Sequence, residues 1–255
     1  MSTPILELDT LTRTFGGLIA VNQVSSNIMP GQIKAIIGPN GAGKTTIYNL
    51  ITGIYTVSSG DIRFMGQSIQ GLTPHEIAER GITRTFQNIK LFDNMSVLEN
   101  VMVGQHVRTK AGFLAAAFRT KATRAEEQLI HKTAIDLLDF VGLSSYVDSP
   151  ATDLPFGLQR KLEIARALAS QPKLLLLDEP AAGLNNTESQ ELIALIKQIR
   201  ERGVTVLLVE HDMHVVMGLA DEILVLDYGT AIADAAPTIV QNDKRVIAAY
   251  LGEEE

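Results

Sequence analysis

Apolar positions fall in short runs at both ends of the chain and at helical spacing in the middle. Leu174–Leu177 is a continuous apolar run of strand length, and Val204–Val209 reads as a second buried strand. Such runs predict strands covered on both faces, as in parallel sheets. Ile5–Leu11 and Ile33–Ile37 also read as strands. Ile223–Leu226 and Thr230–Ala233 predict a hairpin around Tyr228-Gly229. Over residues 56–71, Ser58-Ser59-Gly60 and Met65-Gly66 predict turns between short strands.

Thr45–Thr52 reads as a helix closed by Gly53, and the pattern is mainly helical from about Pro74 to Ala169. Within residues 124–140, Leu129, Ile130, Ala134, Leu137 and Leu138 share one helical face, and the run ends at Gly142. Leu192, Leu195, Ile196 and Ile199 form another buried stripe. Thr187-Glu188-Ser189-Gln190 before it fits a capping box, and Gly203 after it fits a left-handed stop. Strands and helices alternate at both ends around a helical block. That predicts an α/β core with an inserted helical subdomain.

Composition narrows the function. The 255 residues, 45% of them hydrophobic, suffice for a substantial core. A net charge of −7 argues against a non-specific nucleic-acid binder, because neutralising phosphates takes clustered Lys and Arg. Without cysteine there are no disulfides or thiolate metal sites. The first residues lack a basic start followed by an apolar run, so no secretory signal is read. The apolar stretches are short, so any membrane-spanning part must come from other chains. Residues 108–125 carry Arg108, Lys110, Arg119, Lys121 and Arg124 around Phe113–Phe118. We read them as an amphipathic helix on the subdomain, in preference to an interfacial surface near lipid headgroups or a permease.

The strongest chemical signal is Gly38-Pro39-Asn40-Gly41-Ala42-Gly43-Lys44-Thr45, followed by Thr46. It matches G-x-x-x-x-G-K-[ST] between a predicted strand and helix. Glycines let successive backbone N–H groups converge on one phosphate, and the helix amino end adds positive potential. Lys44 can reach the β and γ phosphates, and Thr45 can give a hydroxyl to Mg²⁺. Asp178 and Glu179 follow the run Leu174–Leu177. Asp178 can orient Mg²⁺, and Glu179 can polarise the attacking water. His211 ends another strand and can sense the γ phosphate. Gln87, in Arg84-Thr85-Phe86-Gln87, can contact metal or water.

Together these segments resemble the nucleotide-binding subunits of ABC transporters, from about residue 5 to 251. Gly38–Thr45 resembles the Walker A loop, Gln87 the Q-loop and Leu174–Asp178 Walker B. Glu179 resembles the catalytic glutamate and His211 the H-loop switch. Phe15 lies near the family's adenine-stacking aromatic. The signature, usually L-S-G-G-Q, falls at Leu154-Pro155-Phe156-Gly157-Leu158, where only Leu154 and Gly157 match. Pro155 removes the usual serine hydroxyl. Asn185 stands where the D-loop usually has Asp.

The resemblance implies a P-loop ABC ATPase core with an antiparallel β region and an inserted helical subdomain. It divides the chain into residues 1–87, a helical subdomain at 88–169, and 170–255. It implies ATP and Mg²⁺ as cofactors. It further implies a second ABC ATPase subunit, two integral-membrane permeases and, indirectly, an external solute-binding protein. The chain would sit peripherally on the cytoplasmic face of the inner membrane. Arg84–Gln87, the atypical signature, Glu179–Asn185, the ending Ala249-Tyr250-Leu251-Gly252 and a segment near 104–127 resemble the branched-chain amino acid importer ATPases. Lipopolysaccharide-export, urea-importer and soluble ABC ATPases are the alternatives.

Overall fold

The computed structural model describes residues 3–106 and 121–251. The chain divides into two compact units, Met1–Arg84 with Lys173–Glu255, and Thr85–Pro172. Most of the basic segment at 108–125, and Gly252, lie outside the described residues.

Among the described residues the first unit holds ten strands. They are β1 (Leu6–Phe15), β2 (Leu18–Ile28), β3 (Ile33–Ile37), β4 (Ser59–Phe64), β5 (Gln67–Ser68), β6 (Ile82–Arg84), β7 (Leu174–Asp178), β8 (Thr205–Val209), β9 (Glu222–Asp227) and β10 (Thr230–Ala235). Six form one sheet in the order β10-β9-β3-β8-β7-β6, parallel except at the β9–β10 hairpin. Every residue of β3, β7 and β8 is buried, as expected of parallel strands covered on both faces. The carboxyl ends of β3, β7 and β8 therefore lie side by side. That edge is where such sheets bind ligands.

β3 buries one charge. Lys34 is 1% exposed, and its ammonium donates to the Asn27 carbonyl at 2.9 Å and to Asp234 at 2.9 Å. Glu222 accepts from it at 3.2 Å. A lysine at this depth is tolerated because its ammonium is paired and hydrogen-bonded.

A second sheet, β2-β1-β4-β5, is antiparallel. β1, β2 and β4 bury Leu6, Leu8, Leu11, Val21, Val24, Ile28, Ile62 and Phe64 in the core of this unit. β2 and β6 are absent from the sequence-based expectations. β6 has three residues, too few for a periodic signal, and lies inside the stretch expected to be helical. Ser58-Ser59-Gly60 is not a separate turn. Ser59 and Gly60 open β4, where the β1 pairing shifts register.

The predicted turns at Met65-Gly66 and Tyr228-Gly229 are present, with all four residues at positive φ. The helix after the D-loop segment spans Asn186–Glu201, and Gly203 follows it at φ 86°. Its capping box is Asn185 with Glu188, not Thr187 with Gln190. The Asn185 side chain accepts the Glu188 N–H at 3.0 Å, and Glu188 accepts the Asn185 N–H at 2.9 Å. The Asn-x-x-Glu spacing satisfies two free amides two residues earlier.

The second unit packs helices Val97–Val103, Lys121–Phe140 and Phe156–Ala169. Gly104 permits the first and last to approach closely. A Cβ there would lie 2.1 Å from the Arg166 carbonyl oxygen. On the long helix Ala134 and Leu138 are buried, but Leu129 is 64% exposed. The predicted apolar face thus overreaches at its amino end. No helix among the described residues is long and apolar enough to cross a membrane.

Candidate active site

The loop Gly38–Gly43 joins β3 to the helix Lys44–Ile51. Gly38, Gly41 and Gly43 hold φ of 151°, 82° and 103°. At Gly43 a Cβ would also meet the Ala20 carbonyl oxygen at 2.6 Å, so glycine is needed for space as well as for conformation. The loop is pinned where Gly229 N–H donates to the Ala42 carbonyl at 3.1 Å. Lys44 is buried, and its ammonium donates to the Gly38 and Pro39 carbonyls at 2.6 and 2.9 Å. Burial lowers its pKa below the ordinary lysine value, and the Glu179 charge opposes that shift. Thr45 is exposed and Thr46 half-buried at the helix start.

Behind the loop, Tyr48 is fully buried. Its hydroxyl donates towards the Leu177 and Leu207 carbonyls at 3.1 and 2.7 Å. This fastens the phosphate-loop helix to two neighbouring strands.

Asp178, the last residue of β7, is 5% exposed. Arg84 at the end of β6 donates to its Oδ2 at 2.6 Å and to Asn49 Oδ1 at 2.7 Å. Glu179 follows with a left-handed φ of 46°. For a non-glycine residue that costs on the order of 1 kcal/mol. Its own N–H donates to the Val209 carbonyl at 2.9 Å, which fixes the bend. The exposed His211 brings Nδ1 to 3.7 Å from Glu179 Oε2. Asp178, Glu179 and His211 thus project from the adjacent ends of β7 and β8, and Lys44 opens the helix that follows the loop leaving β3.

Phe15 ends β1 and is 38% exposed. Its ring meets Tyr55 edge-on at 5.1 Å, and the Arg13 guanidinium lies 4.5 Å from its centroid. Arg13 is held by the Thr56 carbonyl at 2.8 Å. Phe15 is therefore a braced, accessible aromatic surface.

The second unit carries the remaining expected residues. Gln87 is exposed, while Leu154 and Gly157 are buried. Pro155 caps the helix Phe156–Ala169 without a side-chain bond. Gln159 instead donates to the Leu154 carbonyl at 2.9 Å. Within the helix, Arg160 and Glu163 are each 1% exposed. Arg160 bonds Glu163 at 2.8 Å and the Phe86 and Gln87 carbonyls at 3.1 Å each.

Arg84, Arg160, Glu163 and Glu210 are absent from the sequence-based site. Glu210 is the one with a readable signal, since it directly follows an apolar strand as Asp178 does.

Comparison with known proteins shows the family. The profile of the family described as ABC transporter matches residues 21–182. One described as branched-chain amino acid ATP-binding cassette transporter matches residues 232–255. The high-affinity branched-chain amino acid transport ATP-binding protein BraF of Pseudomonas aeruginosa is 48% identical, covering 99% of this chain and 100% of its own. LivG of Escherichia coli K12, of the same description, is 44% identical over the same shares. The structure of the ADP conformation of MJ1267, an ATP-binding cassette of an ABC transporter, superposes with a TM-score of 0.86. It is 32% identical and covers 99% of this chain and 100% of its own. The chain belongs to the ABC transporter family. Within it, the chain groups with the branched-chain amino acid transport ATP-binding proteins, and it is an ATPase subunit.

Proposed function

We propose that this ATPase powers a branched-chain amino acid importer, pairing with a second ATPase subunit on two membrane permeases. An external binding protein would deliver the solute, and the chain would lie on the cytoplasmic face. The observation that carries the chemistry is the grouping of Asp178, Glu179 and His211 at the adjacent ends of β7 and β8, with Lys44 of the phosphate-loop helix within the field of Glu179. The full-length likeness to BraF and LivG supports the solute class.

Phosphate oxygens compete with the Gly38 and Pro39 carbonyls for the Lys44 ammonium, and the loop amides take the β phosphate. Gly38, Pro39, Asn40, Gly41, Ala42, Gly43, Lys44, Thr45 and Thr46 form that cradle, and Phe15 stacks on adenine. Among the described residues no cluster of three or more His, Asp or Glu could hold a metal alone. The oxygen donors Thr45 and Asp178 fit Mg²⁺, which takes few protein ligands and completes its shell with phosphates and water. Mg²⁺ there would neutralise charge developing on the phosphates. Gln87 is proposed as a further metal or water contact. Leu154 and Gly157 belong to the segment proposed to face the partner subunit's nucleotide. Glu179 orients the attacking water, and His211 contacts the γ phosphate.

Gentle solubilisation of membranes from cells carrying a tagged chain should recover a second ATPase and two permeases. Vesicles holding that complex should take up labelled leucine with ATP. Recovery of lipopolysaccharide-export proteins instead would overturn the role while leaving the ATPase standing. Glu179→Gln should bind ATP normally and lose turnover at least about a hundredfold. Normal turnover in that variant would refute the Glu179 assignment.

A further inference from the structure

Directly after β8 comes an acid that the proposed chemistry does not use. Glu210 is 1% exposed, at the foot of the segment that carries His211. Its Oε1 accepts the Ala181 N–H at 2.8 Å. Its Oε2 accepts the His211 and Asp212 N–H groups at 3.0 and 3.2 Å. One carboxylate therefore holds three backbone amides from two different segments. The first lies two residues after Glu179, and the second contains His211 itself.

We infer that Glu210 is a positioning residue of the ATPase, tying the backbone after Glu179 to the backbone of His211 and so setting the spacing of those two side chains. This rests on the roles given above to Glu179 and His211. The geometry argues for more than simple burial of an acid. Glu179 leaves β7 in a left-handed turn, and His211 leaves β8 directly after Glu210. Both are thus at points where regular strand bonding stops holding the chain. Beyond the Glu179 N–H bond to Val209, the carboxylate of Glu210 replaces that ladder on both sides. Bonds from amides to an ionised acceptor are among the stronger ones in proteins. Burial pushes the Glu210 carboxyl up, and the three amides pull against that shift.

Glutamine at this position keeps the shape but turns an amide NH2, itself a donor, toward one set of N–H donors. Alanine releases both segments. Turnover, MgATP affinity and melting of the full chain should be measured for Glu210→Gln, Glu210→Ala, His211→Ala and the His211→Ala/Glu210→Gln double variant. Glu210→Gln should lose kcat about tenfold and Glu210→Ala about a hundredfold, with KM for MgATP within about twofold. In the His211→Ala background, adding Glu210→Gln should cost less than about threefold, because one of the two side chains whose spacing it sets is gone. An unchanged kcat, a loss that tracks the folded fraction by circular dichroism, or full additivity overturns the inference. An inactive Glu179→Gln beside a normal Glu210→Gln would refute this inference alone. A Glu179→Gln variant that turns over normally would remove the assignment beneath it.

Discussion

Each unit buries an arginine against a carboxylate, and the two pairs are used differently. In the helical unit the Arg160 and Glu163 side chains are each 2% exposed and bond at 2.8 Å. Arg160 turns its other amino group to a backbone carbonyl, and Glu163 Oε1 accepts the Phe86 N–H at 3.3 Å. In the core the Arg84 and Asp178 side chains are 8% and 7% exposed and bond at 2.6 Å. There the arginine grips a carboxylate proposed to work on Mg²⁺, and its other hand holds Asn49 on the phosphate-loop helix. A buried pair adds little over an apolar pair of equal volume, but breaking one is costly. The first pair is architecture closed on backbone. The second holds the carboxylate proposed to work on Mg²⁺.

The largest effect should follow Arg160→Met, which strands Glu163 in the interior and strips a donor from two carbonyls. We expect a loss of about 3–5 kcal/mol in urea unfolding. Arg160→Met/Glu163→Leu should recover most of it. If the double variant stays equally unstable, the backbone clamp and not the charge carries the cost. The pH dependence separates the two further. Burial pushes Glu163 above its ordinary value, against the pull of Arg160. A carboxyl raised in the folded state loses stability as pH rises through its folded pKa. The deficit of Arg160→Met relative to wild type should therefore be full at neutral pH and shrink on acidification.

Arg84→Lys comes next and tests the other half of the contrast. It keeps the charge but loses the fork that spans Asp178 and Asn49. We expect about 1–2 kcal/mol of stability to be lost. Turnover should fall about tenfold at limiting Mg²⁺ and recover partly as Mg²⁺ rises. Wild-type turnover at every Mg²⁺ concentration would make Arg84 architectural, and the contrast would collapse.

The two pairs also show what could be read from the chain alone. The phosphate loop was legible because its backbone demands glycine at fixed places, and Gly38, Gly41 and Gly43 do sit at positive φ. β7 and β8 were legible because full burial writes an apolar run. The same logic hid the arginines. Arg160 and Glu163 at i and i+3 on a helix look like an exposed ion pair. Only the fold brings Phe86 and Gln87 over them. Arg84 ends a three-residue strand whose partner lies some ninety positions away, as the pairing of Arg84 with Leu176 shows. Leu129 fitted the helical period, yet nothing covers a face merely because it is apolar. Local rules set backbone and pattern, whereas side-chain networks depend on contacts distant in sequence.

A third pair, near the surface, gives the smallest effect and sharpens the role of depth. Asp61 accepts from Ile62 N–H at 2.9 Å, Ser68 at 2.7 Å and Arg63 at 2.9 Å. Burial pushes its carboxyl up, but the bonds from Ser68, Arg63 and Ile62 outweigh this and leave it below its ordinary value. Its bonding resembles that of the buried pairs, but the Arg63 side chain is 43% exposed. Water can replace every partner, so Asp61→Asn should lower the melting temperature by only about 1–2 °C at pH 7. A depressed carboxyl contributes its stability above the unfolded pKa of about 3.9 and loses it as pH falls through the folded value. The gap between Asp61→Asn and wild type should accordingly close below about pH 4. It runs in the same direction as the Arg160→Met deficit but for the opposite reason: here acid removes a favourable charge, and there it removes a stranded one. A melting difference as large as that of Arg160→Met would mean that bonding pattern, and not depth, decides what these pairs are worth.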